Sequence, residues 1–71
     1  MPTNKKSYNE ALETARAISQ QNKYVKYWIL DAPYKRAVVI GNPQLIEQYE
    51  KQGYKKRALY IQGHRVRKSE W

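Results

Sequence analysis

The sequence predicts an α+β fold in the element order α-β-β-α-β: a small three-stranded, mainly antiparallel sheet with two helices packed on one face. Three features carry that expectation. A capping box at Ser7 opens a stretch of helical spacing, and an aromatic and β-branched run from Lys23 to Leu30 alternates as a strand does. Gly41-Asn42-Pro43 then separates a second strand from a second helix.

The first helix is expected from Tyr8 to about Gln21. Ser7 and Glu10 stand three residues apart, so each side chain can accept the other's free backbone N–H. Ala11, Leu12, Ala15 and Ile18 fall on one face, with Ala17 beside them. That stripe is narrow and rich in alanine, which suits close approach to a flat sheet. Residues 1–6 are polar and basic and are expected to be loose.

From Lys23 to Leu30 the pattern has period two. Val25, Tyr27 and Ile29 read as the core face, and Tyr24, Lys26, Trp28 and Leu30 as the other. Asp31-Ala32-Pro33 breaks the run, and the short link implies an antiparallel hairpin with a second strand from Tyr34 to Ile40. The second helix runs from Pro43 to about Gln52 and buries Leu45, Ile46 and Tyr49, with Gly53 as a left-handed C-cap. Tyr54 to Gln62 reads as the third strand. Beyond Gly63, residues 64–71 read as a flexible basic tail.

With both faces apolar, the strand from Lys23 to Leu30 is the natural central strand, and the third strand pairs beside it. Two helices over Val25, Tyr27 and Ile29 leave the opposite face open. That face carries Tyr24, Lys26 and Trp28, flanked by Arg36 with Val38 and by Lys56 with Tyr60.

Composition bounds the function. A chain of 71 residues is read as one small domain, 1–71, and a chain of that size buries only about 60% of its unfolded surface. Cysteine is absent, so no disulfide or thiolate metal site supports the core; this fits a reducing cytoplasm. Seven Tyr and two Trp without any Phe mean that nearly every large ring has a polar handle to satisfy. No run is long and apolar enough to span a membrane.

The formal net charge of +8 is uneven. Residues 1–22 hold three bases and two acids, a net +1, and residues 23–71 hold eleven bases and four acids, a net +7. Seven of the fourteen basic residues lie between Lys51 and Lys68, a stretch without a single acid. Such a field concentrates anionic partners.

Bases alternating with rings across an open sheet are what a single-stranded nucleic-acid binder uses, rings stacking on bases while Lys and Arg follow phosphates. The expected interface is Lys26, Trp28, Arg36, Lys56, Arg57 and Tyr60, aided by Arg65, Arg67 and Lys68. Its function is then binding RNA or DNA with little sequence specificity. The alternative is a protein-interaction module, an accessory or inhibitor protein of a mobile element. It would dock the basic face on an acidic protein or form a homodimer through the open sheet.

Catalysis is not expected. The element order is similar to part of the core of restriction-type nucleases, in which acids and a lysine on adjacent strands hold a divalent metal, and Asp31 and Lys35 would stand for two of those groups. No second strand acid lies near Lys35, and Glu10 belongs to the capping turn. His64 is the single histidine, so neither a metal nor another cofactor is expected. Trp71 has two readings, docking back on the sheet or anchoring a partner.

Overall fold

Each helix begins where its local signals place it. In the computed structural model, which describes residues 7–33 and 35–71 and only the backbone of Lys35 and Arg36, helix α1 spans Tyr8–Gln21. The Glu10 N–H donates to the Ser7 hydroxyl at 3.3 Å, and the Ser7 N–H donates to Glu10 Oε1 at 3.2 Å. The expectations for residues 1–6, for Tyr34 and for the Arg36 side chain lie outside the described residues. Helix α2 spans Pro43–Lys51; Asn42 caps it by accepting the Gln44 N–H at 2.9 Å.

Helix α2 closes through a Schellman motif. Gly53, at φ +98°, donates to the Glu50 carbonyl, and Tyr54 donates to that of Tyr49, both at 3.1 Å. The Tyr49 and Tyr54 rings then meet edge to face with centroids 4.9 Å apart, the apolar contact that accompanies this motif.

Among the described residues four strands form one antiparallel sheet: β1 (Tyr27–Ala32), β2 (Lys35–Ile40), β3 (Lys55–Ile61) and β4 (His64–Val66), in the order β2-β1-β3-β4. The α+β class is therefore observed, with one strand more than expected. The first strand also starts later. Once α1 ends at Gln21, residues 22–26 reverse the chain, with Val25 N–H bonded to the Asn22 carbonyl, so Tyr24 and Lys26 lie outside β1.

The helices lie on opposite faces, not on one. Side chains alternate along β1, and Tyr27 and Ile29 pack with Ala11 and Ala15 of α1, together with Val39, Ala58 and Tyr60. Trp28 and Leu30 pack on the other side with Val38 and Ile40 of β2, Ile46 and Tyr49 of α2, and Tyr54. The reason is one of area. Helix α1 crosses β1, β2 and β3 and fills its face. Because β2 and β3 both run antiparallel to β1, α2 bridges two parallel strands and crosses β1 on the free side. Ile29 and Leu30 are fully buried, one on each face, and each contributes about 1.5–3 kcal/mol of burial.

Residues 64–71 are structured rather than a loose tail. Ile61 pairs with His64 across a two-residue turn, in which Gln62 and Gly63 have φ of +53° and +81°, as a primed hairpin turn requires. The Gly63 N–H donates to the hydroxyl of Ser19 at 2.9 Å; Ser19 is fully buried and itself donates to the Arg16 carbonyl at 3.0 Å. The turn is thus pinned to α1. After Val66 the chain leaves β3, and a 3-10 turn over Lys68–Glu70 brings Trp71 back against the sheet.

Candidate functional site

Arg57 of β3 and the basic residues Arg65, Arg67 and Lys68 gather where β4 parts from β3. Strand β4 pairs with Leu59–Ile61, so among the described residues the Lys55–Ala58 half of β3 has no strand on that side. Between it and the departing chain lies an open groove of about 540 Å³ lined by Arg57, Arg65, Val66, Arg67, Lys68 and Trp71. Four of its six walls are cationic.

Each cation is positioned by a local cause. The register of β3 against β1 steps from Ala58 opposite Ile29 to Lys56 opposite Leu30, so Arg57 is the extra residue of a β-bulge, a device that re-aims a side chain. Its guanidinium carbon lies 5.5 Å from the centre of the Tyr8 ring, and Nη1 is 3.8 Å from Asp31 Oδ1. That ion pair is solvated and contributes at most about 1 kcal/mol, so it does not neutralise the groove. Arg65, opposite Tyr60 in the sheet, donates from Nη2 to the Tyr8 hydroxyl at 3.2 Å. Tyr8 therefore orients two arginines at once.

The indoles form the groove's apolar wall. Trp71 meets Trp28 edge to face with centroids 5.1 Å apart, and its Nε1–H donates to the Val66 carbonyl at 3.3 Å. Lys56 Nζ lies 4.5 Å from the centre of the Trp28 ring, and Lys68 Nζ lies 5.9 Å from that of Trp71. Two ammonium groups thus lie against a pair of rings that meet edge to face. Each contact contributes about 0.5–1 kcal/mol in an exposed setting, enough to favour these rotamers without removing their charge from solvent.

Set against expectation, the structure brings together Trp28, Lys56, Arg57, Arg65, Arg67 and Lys68. It separates two others. Tyr60 was expected on the open face but points the opposite way, under α1, where it is 9% exposed and has no ring face free for stacking. Its register opposite Tyr27 fixes that side. Lys26 is exposed in the link before β1 and borders a different hollow, with Tyr24, Val25, Trp28, Gly41 and Pro43. Among the described residues, the sheet face opposite α1 is covered at Leu30, Val38, Ile40 and Leu59 and does not lie open as expected.

Trp71 belongs to the groove although no local pattern announces it. Docking back on the sheet was one of its two readings, and the signal that decides it is tertiary. Ser19 was also missed, although its spacing from Ala11 and Ala15 continues the buried stripe of α1. Among the described residues no group of three His, Cys, Asp or Glu could hold a metal ion, and no helix is long and apolar enough to cross a membrane.

The chain matches no protein-family model, no curated protein and no solved structure.

Proposed function

We propose that the protein is a cytoplasmic nucleic-acid-binding module that holds the phosphate backbone of single-stranded RNA or DNA in the groove between β3 and residues 66–71. The observation that carries this reading is the convergence of Arg57, Arg65, Arg67 and Lys68 on one groove. Guanidinium groups suit this task because their planar fork matches two phosphate oxygens. Contacts of that kind fix position and do not read sequence, so little base preference is expected.

The part played by the rings differs from a simple stacking platform. Trp28 is half-buried, with Trp71 against it and Lys56 over it, so a base cannot lie flat across the sheet there. Trp71, 38% exposed, is the ring that a strand in the groove would meet. No catalytic step is proposed.

The test is a fluorescence-anisotropy titration of a labelled oligonucleotide of roughly twelve nucleotides at about 50 mM salt, where phosphate affinity is strongest. The native chain should bind, and a variant with Arg65→Ala, Arg67→Ala and Lys68→Ala should lose most of that affinity while keeping its fold by circular dichroism. Equal binding by both would remove the groove from the account. Equally tight binding of polyglutamate would instead assign it to an acidic protein surface.

A further inference from the structure

We infer that the hollow formed by Tyr24, Lys26, Trp28 and Pro43 is a stacking slot for one unpaired nucleobase, at the end of the strand path that begins in the arginine groove. This rests on the groove reading above and adds where the strand goes next.

The hollow holds about 320 Å³ and is lined by Tyr24, Val25, Lys26, Trp28, Gly41 and Pro43. Its chemistry is two aromatic rings, a pyrrolidine, an isopropyl group and one ammonium, with no carboxylate. Tyr24 is 99% exposed in the reversal after α1, so its ring contributes almost nothing to folding. An aromatic ring held in water between Lys23 and Lys26, both exposed, has the make-up of a base-stacking residue beside phosphate contacts. Gly41 keeps the back of the hollow closely packed, since a Cβ there would lie 2.9 Å from Tyr27 Cε1 and 3.0 Å from Val25 Cγ1.

Trp28 makes the two regions one surface. It lines the hollow, and its ring meets that of Trp71, which lines the groove; Lys56 Nζ lies 4.5 Å from the centre of the Trp28 ring. The path we infer for a strand leaving the groove runs past Trp71 and Trp28 to Tyr24. Bases paired and stacked within a duplex present no free face, so the slot accepts only single strands.

The test compares two fluorescein-labelled oligomers with the same number of phosphates, oligothymidylate and its abasic counterpart, on the native chain, Tyr24→Ala and Tyr24→Phe. On oligothymidylate, Tyr24→Ala should weaken binding roughly five- to a hundredfold, the cost of removing one stacked base. Tyr24→Phe should bind as the native chain does, and all three should bind the abasic oligomer alike. The inference is overturned if Tyr24→Ala binds oligothymidylate as tightly as the native chain, or loses the abasic oligomer equally. Both of those outcomes leave the groove reading intact. Failure of the native chain to bind either oligomer overturns both.

Discussion

The ring of Trp71 stands edge-on to that of Trp28, 5.1 Å between centroids, and so ties residue 71 to the strand at the centre of the sheet. This contact covers the sheet face that α2 leaves free and gives the basic segment after β4 a fixed position. A charge run becomes a groove because an indole anchors it.

Trp71→Ala should therefore act on stability and binding together. Losing an aromatic pair of this geometry costs about 0.5–1.5 kcal/mol beyond the buried area, and the side chain is more than half covered. Urea denaturation followed by Trp28 fluorescence should show a lower midpoint, with Trp28 emission shifted to the red in the folded state. An unchanged midpoint would mean that the contact does not hold residues 67–71 in place.

The β3–β4 turn offers a sharper comparison. Gly53 and Gly63 both have positive φ, but a Cβ at Gly53 meets nothing within 4 Å, whereas one at Gly63 would overlap Cγ of Gln20. Gly53→Ala should cost about 1–2 kcal/mol, the backbone penalty alone. Gly63→Ala should cost more. Equal losses in thermal unfolding would show that the turn can move off α1 freely.

Ser19→Ala removes the acceptor for the Gly63 N–H from a part-buried site. A buried donor left without a partner costs about 1–3 kcal/mol, and the loss should appear as faster amide exchange at Gly63. Unaltered exchange there would show that water replaces the hydroxyl at no cost.

Tyr60 separates the observed arrangement from the one expected from sequence. Packed under α1 with Ala11, Ala15 and Ile29, it should behave as a core residue. Tyr60→Ala should destabilise by about 3–5 kcal/mol, as large aromatic truncations do, while Tyr60→Phe should leave oligonucleotide affinity unchanged. A selective loss of binding in Tyr60→Phe would place this side chain in the interface after all.

Most of what was legible in the sequence is local. The Ser7–Glu10 capping box, the Asn42-Pro43 helix start and the Gly53 C-cap each involve residues within a turn of one another, and each forms as its chemistry dictates. The faces of the sheet were not legible, because Ala11 with Ala15 and Ile46 with Tyr49 are equally good stripes for either side. Their assignment depends on α1 spanning three strands, a fact of area and not of pattern. Strand β4 escaped notice for another reason. It has three residues, its turn carries Gln62 at a positive φ where Asn or Asp is the usual signal, and Val66 is its single apolar residue, too few to show a period. The charge that marked the candidate site was visible from the start; the groove that gives it shape depends on this strand and on Trp71.

The most direct test of the central claim is the salt dependence of oligonucleotide binding. Three or four phosphates held by Arg57, Arg65, Arg67 and Lys68 give a slope of log K against log salt of about −2 to −3 for a single strand. Arg65→Ala should make that slope shallower by roughly 0.7, one phosphate contact. A native slope near zero, or a slope that Arg65→Ala leaves unchanged, would contradict phosphate binding in this groove.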